Sequence, residues 1–144
     1  MITIKEIKEK DHELCYELDS HTISLWSKKQ WANEFRKEGT KVFGLNLSNV
    51  LIAICVIQFV ADEAHLNYLS VNYKFQRQGF GSNLMSYVLK QCKTSKLSKV
   101  LLEVSSKNVI ADIFYDNFNF INVGIREKYY KDGSDALLKE KKLI

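Results

Sequence analysis

The amino-acid sequence predicts an α+β fold in which a mixed central sheet is flanked by about four helices. Three features of the sequence predict this fold. Apolar residues mark seven short strands, two connections between consecutive strands are only two residues long, and a long amphipathic helix separates the fourth strand from the fifth. Two-residue connections join antiparallel strands, and a central strand–helix–strand unit is typical of architectures that mix helices with a sheet.

The N-terminal quarter of the chain is predicted to form one strand and two helices. Isoleucines mark a strand that begins at Ile2. Asp11 is a candidate N-cap for a helix that ends at Leu18. Ser27 is the candidate N-cap of a second helix over residues 28–37, in which the aromatic residues Trp31 and Phe35 lie four apart.

Three strands follow, at residues 40–47, 50–60 and 63–71, and the two-residue connections between them predict consecutive antiparallel hairpins. A polar loop then leads into a helix over residues 79–93. Its apolar residues fall on one face: Phe80, Leu84, Met85, Val88, Leu89 and Cys92.

The C-terminal third is predicted to form a strand, a helix and two further strands. The strand covers residues 100–104 and the helix residues 108–117, with Asn108 as its N-cap. The helix is expected to face inward through Val109, Ile110, Ile113 and Phe114. The last two strands are predicted at residues 120–128 and 135–138, and the lysine-rich stretch after them is expected to fray.

Length and composition restrict the class of protein. A chain of 144 residues that is 46% hydrophobic and 26% charged is expected to form a single domain over residues 1–144, and is neither disordered nor collagen-like. The longest apolar run, residues 50–60, is too short to cross a bilayer, and the N-terminus does not resemble a signal peptide. We therefore expect a cytoplasmic protein with no membrane partner.

The net charge of +4 comes from lysines scattered along the chain, because 18 of its 21 basic residues are lysine. Nucleic-acid-binding modules concentrate Lys and Arg on one face, so direct nucleic-acid binding is not expected. The three cysteines are far apart and form no Cys-x-x-Cys pair, so no metal site is expected, and Cys55 and Cys92 are expected to be buried.

The loop before the long helix carries the strongest chemical signal. Residues 76–81 read Gln-Arg-Gln-Gly-Phe-Gly between a strand and a helix. Glycines allow a ligand to approach the backbone, and the N–H groups of a first helical turn bind anions such as a pyrophosphate. The spacing matches neither a Walker loop nor the Rossmann fingerprint, and a turn that binds nothing fits the spacing equally well.

This Gln-x-x-Gly-x-Gly loop, following Leu69-Ser70-Val71, resembles the acetyl-CoA signature of the GNAT N-acetyltransferases. The resemblance implies the GNAT acyl-CoA N-acyltransferase fold and acetyl-CoA as co-substrate. The implied CoA contacts, mostly through the backbone, are Leu69, Ser70, Val71, Arg77, Gln78, Gly79, Phe80, Gly81 and Ser82, with Asn108 as a further contact.

A narrower resemblance, over residues 11–138, is to the RimI-type branch of this family. It is carried by Leu25-Trp26-Ser27, by Glu103 with Asn108 and Tyr115, and by the pair Tyr129-Tyr130. Enzymes of this branch acetylate the N-terminal alanine of a small-subunit ribosomal protein. The resemblance therefore implies that substrate, with Trp26, Tyr129 and Tyr130 as candidate peptide-binding residues; for Trp26 the sequence alone favours ordinary packing.

Direct acetyl transfer to an amine needs a base for the amine proton and an acid for the departing thiolate. Glu103 is the one charge in an apolar strand, which predicts a buried carboxylate whose pKa is raised. An exposed Glu or a structural ion pair fits the sequence equally well, and the resemblance favours the base. For Tyr115 the resemblance implies the acid, whereas a lone Tyr at a helix–sheet boundary is more often a packing residue.

The sequence offers less support for reactions that depend on histidine. His65 could serve as a second base, although a hydrogen-bonded histidine within the sheet is the expected arrangement. No Gly-x-Ser-x-Gly elbow and no His-x-x-x-His pair is present, which disfavours a serine hydrolase and a zinc enzyme.

The choice of acceptor amine follows from proton affinity. An N-terminal α-amine has a pKa near 8 and a lysine one near 10.4, so at neutral pH freeing a lysine costs about 3 kcal/mol more. This difference favours an N-terminus. Two alternatives remain open at this point: a GNAT enzyme that acetylates a small amine or a lysine, and a CoA-binding sensor that transfers nothing.

Several positions depart from the RimI-type pattern, among them the lysine-rich end of the chain and Asn119, which stands where glycine is usual and is expected to preserve the turn. Leu25 stands where proline is usual, so the loop beside the peptide groove is expected to be looser. Ser82 replaces a residue that is often basic, which predicts a lower affinity for the CoA phosphates.

Overall fold

The computed structural model describes all 144 residues, Met1–Ile144, and confirms the predicted α+β fold: a mixed seven-stranded sheet with four α-helices. No helix in it is both long and apolar enough to span a membrane. The elements are β1 (Ile2–Ile7), α1 (His12–Ser20), α2 (Lys28–Arg36), β2 (Thr40–Leu47), β3 (Val50–Val60), β4 (Glu63–Val71), α3 (Phe80–Thr94), β5 (Lys99–Ser105), α4 (Val109–Asn117), β6 (Ile121–Arg126) and β7 (Ala136–Lys142).

The two N-terminal helices begin in different ways. α2 has the predicted cap, a capping box in which Ser27 and Gln30 each bind the other's backbone N–H. The predicted cap of α1 is wrong, because the Asp11 side chain makes no capping hydrogen bond. The reason is local: Asp11 ends a short 3-10 helix, Glu9–Asp11, which leads directly into α1.

The strand order of the sheet is β1-β2-β3-β4-β5-β7-β6. The predicted hairpins β2–β3 and β3–β4 are both antiparallel, as are β1–β2, β5–β7 and β7–β6. Ser48 and Asn49 both adopt positive φ angles, 48° and 71°, as a tight two-residue turn requires. Only β4 and β5 run parallel, connected through α3.

Both faces of the sheet are packed, but by different helices. On one face the buried residues of α3 (Leu84, Met85, Val88 and Cys92) join the larger core cluster, which also contains Cys55. On the other face α1 and α2 pack over β3 and β4 through Cys15, Leu18 and Trp31. All three cysteines are buried and unpaired, which confirms the expectation for Cys55 and Cys92.

Strands β4 and β5 part after a short paired segment. Their parallel ladder contains three residue pairs and ends at His65 with Leu101, although each strand continues beyond that point. A bulge follows immediately in β4, where Asn67 has no partner on β3. A bulge bends its strand and increases the local twist. The two strands therefore leave an opening in the middle of the sheet.

The predicted inward face of α4 is mostly wrong. Val109, Ile110 and Ile113 are exposed, at 60%, 72% and 54% of their surface, and no residue of α4 is fully buried. The helix instead packs through Ala111, Phe114, Tyr115 and Phe118, which lie half-buried against the larger core cluster. Four apolar residues in nearly adjacent positions fit more than one helical face, so periodicity alone selects the wrong one.

The last strand does not fray, contrary to prediction. β7 continues to Lys142, and Lys139 has no accessible surface. Its ammonium lies 2.5 Å from Asp112 and 2.7 Å from Asp116, both on α4, and donates to Asn122 on β6 at 2.8 Å. Burial by itself would lower the pKa of Lys139, but the two carboxylates raise it above its ordinary value. The buried ammonium thus has two hydrogen-bond acceptors, Asp116 and Asn122, and forms an ion pair with Asp112 as well.

Replacing Lys139 by alanine is expected to lower the free energy of unfolding by about 2 kcal/mol, because Asp112 and Asp116 lose their cation and α4 its tie to β7. Partial exposure of both carboxylates keeps the loss below that of a fully buried pair. Urea unfolding measures it. Lys141→Ala, on the same strand and without an ion pair, is the control, and an equal loss in both variants would contradict this role.

Candidate active site

The opening between β4 and β5 lies next to the loop that the sequence predicts to bind phosphates. That loop follows β4 and leads into α3, so it closes one end of the opening. Gln76 donates from its side-chain amide to the Val71 carbonyl at 2.9 Å and thereby ties the loop to the end of β4. Arg77 and Gly79 have positive φ angles, 63° and 88°.

This loop has an unusual run of free backbone donors. None of the N–H groups of residues 77–82 donates a hydrogen bond within the protein, and the α3 ladder begins with Asn83 donating to Gly79. Positive φ at Gly79 turns the chain into the helix, and a side chain there would be strained. Six free N–H groups at a helix N-terminus form a cradle suited to a phosphate or pyrophosphate.

The other predicted cofactor residues lie along the same opening. Leu69, Ser70 and Val71 belong to the part of β4 that has left β5, so the edge of that segment facing β5 has no partner strand. Leu69 and Val71 pack on the α3 side, whereas Ser70 turns to the other face. Asn108 caps α4 by accepting from Ala111 N–H at 3.1 Å.

Glu103 is partly exposed, and the prediction that it is buried is wrong. Within β5, Val100, Leu102 and Val104 face the larger core cluster, so Glu103 points to the opposite face, which no helix covers at this strand. Its side chain is 36% exposed and lies 3.6 Å from the Arg126 guanidinium. An isolated charge in a short apolar strand therefore marks the open face of the sheet here.

Tyr115 lies on the opposite face of the sheet from Glu103. Its ring packs into the larger core cluster, with centroids 5.4 Å from Phe114 and 5.8 Å from Phe120. Burial, and to a lesser degree Cys55, raises the pKa of its hydroxyl above the ordinary value. No protein group accepts or donates a hydrogen bond at that hydroxyl, so it stays protonated at neutral pH and free to donate to a ligand.

A cavity of about 510 Å³ lies on the open face of the sheet and brings the predicted tyrosines to Glu103. Tyr129 and Tyr130 line it, with ring centroids 5.1 Å apart. Burial raises the pKa of Tyr130, and so, less strongly, does the charge of Glu103.

Two further residues line this cavity: Arg126, which the sequence did not predict as a site residue, and His65, whose predicted hydrogen bonding is wrong. Arg126 bridges Glu103 and the Tyr129 ring, whose centroid lies 5.5 Å from the guanidinium carbon. The one feature of the sequence that could have pointed to Arg126 is that it is one of only three arginines in a lysine-rich chain. His65 also lines the cavity, and the expectation that it is hydrogen-bonded is wrong: its Nε2 is buried without a partner, 3.7 Å from Glu63.

Trp26 does not line this cavity. It lies in the loop between α1 and α2 and packs on Trp31 and Tyr68, with centroid distances of 4.8 and 5.3 Å. The structure shows a contact that opposes the predicted looseness of this loop. The Leu25 N–H, which proline would lack, donates to Asp19 at 3.0 Å and helps to hold the loop in place.

Comparison with known proteins places these features in a family. The chain is 33% identical, over 91% of its length and 92% of the relative's, to the [ribosomal protein bS18]-alanine N-acetyltransferase of Haemophilus ducreyi. The crystal structure of the ribosomal-protein-S18-alanine N-acetyltransferase from Escherichia coli superposes with a TM-score of 0.93 at 28% identity, covering 99% of this chain and 94% of that one.

A more distant structure carries the cofactor. The PaiA N-acetyltransferase from Thermoplasma acidophilum, solved in complex with coenzyme A, has a TM-score of 0.80 at 20% identity, with 99% of both chains covered, and shows a likeness of fold. The model of the acetyltransferase (GNAT) domain matches residues 8–143. With a GNAT domain over nearly its whole length and relatives named as N-acetyltransferases along nine-tenths of it, the chain belongs to the GNAT family and is an N-acetyltransferase.

Proposed function

We propose that this enzyme transfers the acetyl group of acetyl-CoA to the N-terminal α-amine of a ribosomal protein, with alanine as the acceptor residue. The observation that carries the proposal is the likeness, over at least nine-tenths of the chain, to relatives named for acetylating the alanine of bS18. The open face beside Glu103 supports it, because an extended chain terminus can reach that face without displacing a helix.

The free N–H groups of residues 77–82 hold the pyrophosphate of acetyl-CoA in this proposal. The unpaired edge of β4 at residues 69–71 then binds the pantetheine arm through backbone groups, and Asn108 lies at the start of the helix across the opening. Backbone donors serve this purpose with any side chain, so Arg77, Gln78, Phe80 and Ser82 need no particular chemistry beyond leaving their N–H groups free. Acetyl-CoA supplies an activated acyl group as a thioester.

Glu103 accepts the proton of the attacking amine, directly or through one water molecule. Its exposure suits this role, since a carboxylate in contact with solvent passes the proton on to bulk water. Arg126, 3.6 Å away, keeps the carboxylate oriented toward the cavity. An N-terminal amine, with an ordinary pKa near 8, gives up its proton to such a base more readily than a lysine does.

Tyr115 supplies the proton that the departing sulfur requires. Burial keeps its hydroxyl protonated, and no protein group competes for it. The carboxylate and the hydroxyl lie on opposite faces of the opening, so the amine nitrogen approaches from one side while the C–S bond breaks on the other. The amine proton leaves through Glu103, and Tyr115 regains its own proton from solvent, which balances the reaction.

The acceptor peptide occupies the cavity lined by Tyr129 and Tyr130. The loop of Trp26 does not line this cavity but packs over β4 on the same face of the sheet. Tyrosine rings present both an apolar face and a hydroxyl, which suits binding of a flexible chain terminus. The ribosomal protein is the proposed partner.

The substrate is tested with three peptides of one sequence. The free peptide begins with alanine, the second is acetylated at its N-terminus, and the third is acetylated there but carries an added lysine. CoA release should occur with the free peptide alone, because the α-amine is the acceptor. Turnover only with the lysine peptide would indicate a lysine acetyltransferase, and acetyl-CoA binding without any turnover would indicate a sensor.

Glu103→Gln is expected to lower kcat about 100-fold at neutral pH, because the amide cannot accept the amine proton. Affinity for acetyl-CoA, measured by calorimetry, should remain within twofold, since Glu103 lies on the face away from α3. Glu13→Gln on α1 is the matched control. Turnover of Glu103→Gln equal to that of the control would exclude Glu103 as the base.

Tyr115→Phe should lower kcat by a factor on the order of 100 as well, because the phenyl ring keeps the packing and removes the proton donor. Tyr87→Phe, in α3 and packed against Phe43 in the same cluster, controls for the loss of a core hydroxyl. An equal fall in acetyl-CoA affinity and turnover would instead identify Tyr115 as a packing residue for the cofactor.

A further inference from the structure

A buried carboxylate joins the loop between α1 and α2 to strand β4. Asp19, near the end of α1, has no accessible surface. Its side chain accepts four hydrogen bonds: from the backbone N–H groups of Leu25 at 3.0 Å and Trp26 at 2.9 Å, from the Trp31 indole at 3.0 Å and from the Tyr68 hydroxyl at 2.9 Å. Two donors thus belong to the loop, one to α2 and one to β4.

The chain of hydrogen bonds continues along β4. Ser70 donates from its hydroxyl to the Tyr68 hydroxyl at 2.7 Å, while Tyr68 donates its own proton to Asp19. Burial raises the pKa of Tyr68, which keeps this hydroxyl a donor at all working pH values. Ser70 lies in the segment of β4 that has parted from β5. One network therefore runs from the edge of the opening to the backbone of Trp26.

The aromatic rings of this network pack on one another as well. Trp31 and Tyr68 have centroids 5.0 Å apart, and Trp26 contacts both rings. These are the only two tryptophans of the protein, so its tryptophan emission comes entirely from this cluster.

The main effect of the Asp19 network is to fix the conformation of the loop between α1 and α2. Residues 21–27 contain no helix or strand, and Ser24 takes a positive φ of 50°, a conformation that needs support from its surroundings. A buried charge is tolerated only when its hydrogen-bonding capacity is met, and here two of the four donors are available only when the loop is closed onto Asp19. The carboxylate thereby selects one loop conformation.

We propose that Asp19 and Tyr68 are positioning residues for the acceptor: they hold the Trp26 loop against β4, on the face of the sheet that carries the peptide cavity, before the peptide arrives. The inference rests on the proposed function, in which the acceptor binds on the same face of the sheet as this loop and extends along it beyond the cavity. Neither residue touches the reacting atoms. Their contribution is preorganisation, which strengthens binding by removing the entropy cost of ordering the loop.

Tyr68→Phe tests this role with the least disturbance, because it removes one hydroxyl from the centre of the network. The KM for the alanine peptide should rise about tenfold, as expected for one lost hydrogen bond to a charged group. The kcat at saturating peptide and the Kd for acetyl-CoA should stay within twofold. Tryptophan emission of the free variant should shift to the red, since a looser loop exposes Trp26 to water.

Tyr16→Phe is the matched control, because Tyr16 packs beside the same cluster but its hydroxyl makes no hydrogen bond within the protein. It should leave KM, kcat and emission unchanged. Asp19→Asn provides a second variant with the same expected pattern and a larger rise in KM, since an amide presents one oxygen to four donors. If Asp19→Asn does not fold, Tyr68→Phe decides.

An unchanged peptide KM in Tyr68→Phe would overturn the inference. So would a parallel loss of kcat, acetyl-CoA affinity and thermal stability, because that pattern indicates a purely structural role. In both cases the wild-type enzyme still acetylates the free peptide, and the proposed function stands. If the wild-type enzyme fails to acetylate the peptide, the proposed function fails and the inference with it.

Discussion

The parting of β4 from β5 is the constraint on which the rest of the site depends. Three parallel residue pairs hold the two strands together, and the unpaired Asn67 then bends β4 away from its neighbour. A continuous ladder would fill the sheet with backbone hydrogen bonds and leave no edge for a ligand. Because the strands part, the edge of β4 beyond His65 is left without a partner beside the cradle before α3. Glu103 lies on the open face of β5, and Tyr115 packs in the larger core cluster on the other face.

Two buried charged residues, Asp19 and Lys139, hold together the elements next to this opening. Asp19 accepts four hydrogen bonds and holds the Trp26 loop to β4. Lys139 on β7 donates to Asp116 and Asn122 and pairs with Asp112, which connects α4 to β6 and β7. Burying each of these charged groups costs desolvation free energy. Hydrogen bonds and ion pairs offset that cost only when the partner groups adopt one particular arrangement. Apolar packing alone would be less selective, since α4 buries no residue completely and leaves Ile110 largely exposed. The polar contacts therefore supply the precision that the small apolar contacts of α4 and the loop lack.

Local patterns in the sequence predicted the fold well. The bounds of β2, β3 and β4 agree because two-residue turns fix strand ends, and the Ser27 cap fixes the start of α2. Predictions failed where the outcome depends on distant partners. The lysine-rich end forms a full strand because Asp112 and Asp116 on α4 pair with Lys139. Glu103 is exposed because no helix covers β5 on its face of the sheet. Arg126 and Asp19 entered the site only through contacts between residues far apart in sequence.

We propose that acetyl-CoA lies in the opening, with its pyrophosphate on the cradle and its pantetheine arm along β4. Mapping of backbone amide chemical shifts during titration with acetyl-CoA tests it most directly. We expect the largest changes at the free N–H groups of residues 77–82 and at the β4 segment beyond His65. Changes confined to the second cavity, between β1 and α1 around Lys5 and His21, would contradict it.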